Sequence, residues 1–236
     1  MKRELIIAID GPSGSGKSTL SRLLAAALNY INIDTGAMYR SVGLAAHQAG
    51  VDPEDPRALE ELCGRITIEF VRSGTDERVL LNGADVSEAI RTPEMSMMAS
   101  RVSACPAVRE AMGRLQKSMG EQGGVVLEGR DIGTVVFPQA EVKFFLLASA
   151  AERGRRRFEE LRAKGLQVDL QQTIDEVKQR DAADSNRQHA PLVQADDALA
   201  IDTTTMTIDQ VLQEMLEIVN KRRLQSCEAQ EGGRIG

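Results

Sequence analysis

The segment from Gly11 to Thr19 carries the clearest chemistry in the chain, because it satisfies the spacing G-x-x-x-x-G-K-[ST] of a phosphate-binding loop, or P-loop. In such a loop glycines let backbone N–H groups face phosphate oxygens, a lysine reaches the β- and γ-phosphates, and a hydroxyl holds Mg²⁺. A glycine-rich turn without a ligand needs neither the lysine nor the hydroxyl. We therefore predict a nucleoside triphosphate site formed by Gly11, Pro12, Ser13, Gly14, Ser15, Gly16, Lys17, Ser18 and Thr19.

Arginines gather in four places, although the chain is acidic with a net charge of −6. The acidity disfavours a protein that binds long nucleic acids, because such proteins usually present a broad basic surface. The arginines are Arg40, Arg109, Arg130 beside Asp131, and the set between residues 153 and 187. Any one of them could lie on a solvated helix face. Together they suit phosphoryl transfer to a second phosphate, because guanidinium groups clamp phosphate oxygens with fixed N–H donors.

The elements that must position these residues alternate between strands and helices. Apolar runs predict strands at 4–9, 30–33, 124–128, 142–147 and 198–202. Helical spacing of apolar residues predicts helices at 17–28, from about 35, at 107–119, 151–163, 170–183 and 208–219. Charged groups follow several strands directly, which is typical of the ligand edge of an open α/β sheet. The predicted fold class is α/β, a three-layer α/β/α P-loop fold with a central parallel sheet.

One segment breaks this alternation. Residues 66–71, turn residues 73–76 and residues 78–83 predict a β-hairpin inside an insert of about 52–101. We expect a single domain with its core at 1–51, 102–150 and 188–221, a short helical lid at about 151–187, and a polar, disordered tail at about 222–236.

Composition limits the other classes of function. The apolar runs fall far short of the ~20 residues that cross a bilayer, so we expect a cytoplasmic protein with no membrane partner. The cysteines, at 63, 105 and 227, are widely spaced and indicate neither a disulfide framework nor a zinc site. A guanine-reading Asn-Lys-x-Asp is missing, since Asn220-Lys221 is followed by Arg222-Arg223, which disfavours a GTPase.

Four segments together resemble the bacterial cytidylate kinases: residues 9–19, Asp34–Arg40 (DTGAMYR), Gly129–Pro138 (GRDIGTVVFP) and Arg180–Arg187 (RDAADSNR). The likeness covers roughly residues 4–220. The hairpin insert departs from the smaller helical insert of adenylate kinases. The resemblance implies an enzyme of pyrimidine nucleotide metabolism that transfers the γ-phosphoryl group of ATP to CMP or dCMP, acts with Mg²⁺, and is a monomer with no nucleic-acid partner. The insert would then bind the acceptor.

The resemblance also implies roles for matching positions. The P-loop would hold the ATP phosphates, with Ser18 as the Mg²⁺ ligand, while Arg156 or Arg157 of the lid would touch those phosphates. In the acceptor site, Arg40 and Arg130 would bind the phosphate, and Ser100, Arg109 and Asp131 would bind cytosine. Arg180, Asp184 and Arg187 would contact the sugar and phosphates. Thr35 would also belong to this site, at a position where the family often has Ser. The implied catalytic residues are Lys17, Arg130, Arg180 and Arg187. Glu128 receives no catalytic role.

Cytosine presents an exocyclic amine donor and two acceptors, which a carboxylate, an arginine and a hydroxyl can satisfy. Two alternatives remain at this stage. One is a kinase for UMP, AMP or a small metabolite such as shikimate, which residues 100, 109 and 131 would distinguish. The other is a switch that hydrolyses ATP to drive a conformational change; arginines at an acceptor site disfavour it.

Overall fold

The computed structural model describes residues 4–73 and 76–232. In chain order the elements are β1 (Ile6–Asp10), α1 (Lys17–Leu28), β2 (Ile31–Asp34), α2 (Thr35–Ala49), α3 (Pro56–Cys63), β3 (Ile68–Ser73), β4 (Asp76–Leu81), β5 (Ala84–Asp85), α4 (Pro93–Val102), α5 (Pro106–Gly120), β6 (Val125–Gly129), β7 (Val142–Leu147), α6 (Ala150–Ala163), α7 (Leu170–Asn186), β8 (Leu199–Asp202) and α8 (Ile208–Gly232). A 3-10 turn at Ala89–Arg91 and a π-helical turn at Ile132–Val136 complete the described structure.

The described residues form two compact units, the first built from the chain up to Asn32 and from Gln122 onwards, the second from Ile33–Glu121. The second unit is larger at both ends than the predicted insert of 52–101. The reason is packing: α2 lies against α4 and α3 lies against α5, so both flanking helices join the insert.

A five-stranded sheet in the order β2-β6-β1-β7-β8 is the centre of the first unit. The pairs β6–β1, β1–β7 and β7–β8 are parallel, and Asp10 at the end of β1 lies opposite Gly129 and Phe145. Every residue of β1 and β6 is buried, as expected for parallel strands covered on both faces. This confirms the predicted central parallel sheet flanked by helices. Its apolar core includes Ile7, Ile9, Leu24, Phe144, Leu146 and Met215.

A small antiparallel sheet, β3-β4-β5, belongs to the second unit and contains the predicted hairpin. Gly74 and Thr75 of the predicted turn lie outside the described residues. The sequence analysis did not predict α3 and α4. Each begins with a proline in its first turn after a capping side chain, Asp55 for α3 and Thr92 for α4.

Helix α8 differs from the predicted disordered tail, since its backbone continues through Gly232. Two contacts hold the helix as far as Arg223: Arg222 Nε donates to Glu141 O at 3.1 Å, and Arg223 lies 3.3 Å from a Glu4 carboxylate oxygen. No helix within residues 4–73 and 76–232 has the length and apolar character that a membrane span requires.

The two helices of the predicted lid, α6 and α7, cross at a glycine. A Cβ at Gly154 would lie 2.4 Å from Ile174 Cγ1 and 2.8 Å from Ile174 Cα, so the helices can approach this closely only without a side chain there.

Gly154→Ala should force α6 and α7 apart and lower the free energy of unfolding by about 1–3 kcal/mol, the usual cost of overpacking. Urea denaturation measures this change. The matched control is Gly113→Ala in α5, where a new Cβ meets no atom within 4 Å. The free energy of unfolding of that variant should rise by about 0.5–1 kcal/mol, because alanine is more favourable than glycine in a helix interior. Equal stability changes in the two variants would contradict the close crossing.

Candidate active site

The P-loop connects the end of β1 to the start of α1. Gly11 has φ 147°, and a Cβ there would lie 2.3 Å from the Leu146 carbonyl oxygen of β7, so only glycine fits. Helix α1 begins at Lys17, and the unpaired N–H groups of its first turn therefore adjoin the loop. Such a helix N-terminus attracts anions through these donors and through the helix dipole.

Lys17 is buried, with 4% of its surface exposed. Its Nζ donates to the Pro12 carbonyl oxygen at 2.7 Å, and Ser15 Oγ donates to the same oxygen at 3.0 Å. Burial and then the charge of Arg130 lower the pKa of Lys17 from 10.5 to about 7, while the Glu128 carboxylate opposes them. A polyanion at the loop would supply the negative charge that restores protonation.

Ser18 and Glu128 provide adjacent oxygen atoms beside the loop. Ser18 Oγ donates to Glu128 Oε1, and Glu128 lies on β6 opposite Ile9 of β1. A hydroxyl and a carboxylate next to a P-loop are the oxygen ligands that suit Mg²⁺, so these residues fit the ion. The sequence analysis gave Glu128 no role. Its position at the end of an apolar strand, at the ligand edge of the sheet, could have indicated one.

Arg130, Asp131, Asp184 and Arg187 form a charged cluster in the first unit. Arg130 Nε donates to Asp184 Oδ2 at 2.8 Å, and Arg187 lies 3.7 Å from Asp131 Oδ1 and 3.9 Å from Asp184 Oδ1. Burial alone would raise the pKa of Asp184, but the neighbouring cations, first Arg130, hold it below its ordinary value. The carboxylates therefore keep the arginines in fixed positions.

The buried Arg153 joins α6 and α7 to the P-loop. Arg153 donates to both carboxylate oxygens of Asp181 at 2.9 and 2.5 Å, to Ser13 O at 3.0 Å and to Ala148 O at 2.8 Å. Arg180, next to Asp181, donates to Ser13 Oγ at 3.4 Å. The sequence analysis placed Arg153 in the lid but assigned it no contact.

The two lid arginines predicted to touch ATP have different surroundings. Arg156 donates to Thr203 O at 2.7 Å and to Glu152 Oε1 at 2.9 Å. Thr203 Oγ1 in turn donates to Ser15 O of the P-loop at 3.2 Å. Arg157 donates to Glu160 within the same helix at 2.8 Å. Arg156 is thus linked to the loop through one residue, whereas the contact of Arg157 is local.

In the second unit, Thr35 and Arg40 lie in the first turns of α2. Asp34 caps this helix: its carboxylate accepts from Ala37 N at 2.8 Å and from Arg40 Nη2 at 2.9 Å. Arg40 Nε is buried and has no hydrogen-bond partner within residues 4–73 and 76–232. A buried donor without an acceptor is costly, so this nitrogen suits an incoming oxyanion.

Ser100 and Arg109 each contact Ser103, which lies at the junction between α4 and α5. Ser103 Oγ donates to Ser100 O at 2.9 Å, and Ser103 O accepts from Arg109 Nη1 at 3.4 Å. The Arg109 guanidinium lies 5.8 Å from the centre of the Tyr39 ring. The predicted residues are thus divided between the two units, with Thr35, Arg40, Ser100 and Arg109 in the second and the others in the first.

Comparisons with known proteins agree over nearly the whole chain. A family model described as cytidylate kinase matches residues 7–221. A protein of Syntrophotalea carbinolica named cytidylate kinase is 66% identical, covering 99% of this chain and 99% of that protein. One of the same name from Geobacter sulfurreducens is 56% identical, covering 94% of this chain and 95% of that protein. A solved structure of an uncharacterized protein from Eubacterium ventriosum shares the fold alone, with TM-score 0.52 and 11% identity, covering 92% of this chain and 99% of that one.

Lys17→Met tests the electrostatic cost of burying the ammonium group. With a pKa of about 7 when folded and 10.5 ordinarily, Lys17 binds more protons in the unfolded chain between these values, so the destabilising effect of its burial diminishes as pH rises through this window. Methionine does not titrate. The stability of the variant relative to the wild type should therefore decrease steadily with pH in this window, as followed by urea denaturation.

The control is Lys178→Met, which removes an exposed lysine of α7. Its effect on the free energy of unfolding should be small, because Lys178 makes only an exposed ion pair with Asp175. A constant difference for Lys17→Met would show that burial does not lower the pKa of Lys17.

Proposed function

The chain belongs to the cytidylate kinase family, and we infer from this membership and its P-loop that it transfers the γ-phosphoryl group of ATP to CMP or dCMP. The products are CDP or dCDP and ADP. The protein is thus an ATP-dependent nucleoside monophosphate kinase of pyrimidine nucleotide metabolism. The observation that carries the chemistry is the concentration of cations at the P-loop, where Lys17 donates to Pro12 O and both Arg153 and Arg180 donate to Ser13.

The P-loop is proposed to bind the ATP phosphates through its backbone N–H groups and Lys17. Ser18 and Glu128 would hold Mg²⁺, whose charge offsets that of the β- and γ-phosphates. Arg156 is the better candidate of the two lid arginines for contact with ATP, because Thr203 links it to Ser15 of the loop.

The acceptor phosphate is proposed to bind Arg40 and Arg130, with Arg180 and Arg187 completing the positive charge around the transferred group. The buried Nε of Arg40 supports its part, and Asp184 supports that of Arg130 by fixing the guanidinium through Nε. Planar guanidinium groups match phosphate oxygens and neutralise the charge of the transition state. Arg180, Asp184 and Arg187 are also proposed to contact the sugar.

Cytosine is proposed to be read by Asp131, Ser100 and Arg109, with Thr35 nearby in the acceptor site. The Asp131 carboxylate would accept from the exocyclic amine, and the hydroxyl and guanidinium would donate to the ring acceptors. Uracil has a carbonyl in place of the amine. It would place an acceptor against the carboxylate, at a cost of about 1–3 kcal/mol.

The reaction needs no general base. The second pKa of a phosphate monoester is near 6, so the acceptor is already mostly a dianion at pH 7. Positioning and charge neutralisation then supply the catalysis. This agrees with acidic residues that act as partners of arginines rather than as proton acceptors, since Asp184 pairs with the half-buried Arg130 and Asp181 pairs with the buried Arg153.

The proposed function predicts the acceptor dependence of ADP release. A coupled assay with ATP and Mg²⁺ should show strong release with CMP and dCMP, weak release with UMP and AMP, and almost none without an acceptor. Release independent of the acceptor would instead indicate an ATP-hydrolysing switch. A preference for UMP or AMP would overturn the substrate assignment while leaving the P-loop chemistry in place.

Asp131→Ala should lower kcat/KM for CMP by about 5- to 150-fold, the equivalent of one lost recognition contact, and affect UMP much less. The matched control is Asp175→Ala, which removes an exposed carboxylate of α7 and should leave both acceptors unchanged. Equal losses for CMP and UMP in Asp131→Ala would show that Asp131 does not read the base.

A further inference from the structure

Asp10 is a buried carboxylate to which the proposed reaction gives no task. It is the last residue of β1, directly precedes the P-loop, and has 4% of its surface exposed. Register places it opposite Gly129 of β6 and Phe145 of β7, so its backbone is held on both sides.

The Asp10 carboxylate holds two successive backbone N–H groups. Oδ1 accepts from Ile132 N at 2.9 Å and Oδ2 accepts from Gly133 N at 2.7 Å. These donors belong to the π-helical turn Ile132–Val136. The first N–H groups of a helical turn have no partner within the turn, and Asp10 satisfies them from a strand more than a hundred residues earlier in the chain.

This arrangement determines what the side chain of Asp131 does. Asp131 occupies the capping position of the π-helical turn, yet its side chain makes no capping hydrogen bond. Its backbone carbonyl accepts from Val135 N at 2.9 Å and from Val136 N at 3.2 Å, so its main chain is part of the turn. Because Asp10 caps the turn, the Asp131 carboxylate is not needed for that purpose.

The fit around the turn is close. A Cβ at Gly133 would lie 3.1 Å from Lys143 Cδ and 3.4 Å from Asp10 Oδ2.

Burial raises the pKa of Asp10 to about 6, although the Gly133 and Ile132 N–H groups and the Lys17 charge oppose the rise. A carboxylate kept in a buried place at such a cost is accounted for by these two charge-assisted hydrogen bonds.

We propose that Asp10 is a positioning residue for base recognition: by capping the turn that starts at Asp131, it sets the direction of the Asp131 carboxylate. The inference rests on the proposed function, because it requires Asp131 to read cytosine. Loss of the two hydrogen bonds should therefore weaken discrimination between CMP and UMP more than it weakens phosphoryl transfer itself.

Asp10→Asn tests this directly. The amide keeps the shape and one acceptor oxygen, but its NH₂ group faces a backbone donor and cannot accept. The ratio of kcat/KM for CMP to that for UMP should fall about tenfold, mainly through KM for CMP, with a smaller change in KM for ATP. The matched control is Val135→Ala in the same turn, whose side chain is 48% exposed and should leave the ratio unchanged.

A double-mutant cycle separates positioning from a general loss of structure. In the Asp131→Ala background, Asp10→Asn should cause no further fall in the CMP-to-UMP ratio, because the carboxylate that it positions is gone. An equal fall in both backgrounds, or equal losses for CMP and UMP in Asp10→Asn, overturns the proposal.

A second variant guards against failure of Asp10→Asn to fold. Gly133→Ala disturbs the same hydrogen bonds from the other side, by contact with Asp10 and Lys143, and should also lower the ratio. An unchanged ratio in a folded Gly133→Ala overturns the proposal as well. The wild type serves as the test of the underlying function: if it does not prefer CMP, the substrate assignment fails and this inference with it. If it does prefer CMP and the variants keep that preference, this inference alone fails.

Discussion

Positive charge confined in a buried space is the constraint on which the first unit's site depends. Lys17 is buried near Arg130 and Arg180, and burial first and then these charges lower its pKa. Nearby acids offset part of this positive charge: Glu128 opposes the fall in the pKa of Lys17, Asp184 pairs with Arg130, and Asp181 pairs with Arg153. The remaining cationic charge is balanced when phosphates bind, so the stability given up in the folded protein becomes binding energy for a polyanion.

The parallel sheet brings the charged residues of the first unit together. Because β1, β6 and β7 run in the same direction in register, their carboxyl ends meet at one edge, and residues far apart in sequence become neighbours there. The P-loop continues from β1, Arg130 and Asp131 follow β6, and the helices that carry Arg153 and Arg180 follow β7. The second unit uses local devices instead, with a helix cap beside Arg40 and a helix junction beside Arg109.

The sequence predicted those parts of the fold whose signal is local and strong. Apolar runs marked the strands of the central sheet, and the P-loop spacing located the first helix. Helices α3 and α4 were missed because they are short and the hairpin dominated the reading of that segment, although Asp55-Pro56 and Thr92-Pro93 carry standard start signals. The site was harder to predict, since the contacts of Ser18 with Glu128, of Arg153 with Ser13 and of Asp10 with Gly133 join distant segments. Strand register and helix packing create these contacts, and neither can be read from spacing alone.

The hydrogen bonds of Arg153 determine where α6 and α7 are held. Its hydrogen bonds to Asp181, Ser13 and Ala148 fasten the beginning of α6 and the later half of α7 to the P-loop in a buried place. The helix pair is therefore fixed at its P-loop end by a buried arginine. The connection at residues 164–169 begins about 15 Å along α6 from Arg153, at 1.5 Å per residue. The contacts of Arg153 therefore hold the part of the pair that lies next to the P-loop, and they do not extend to the connection.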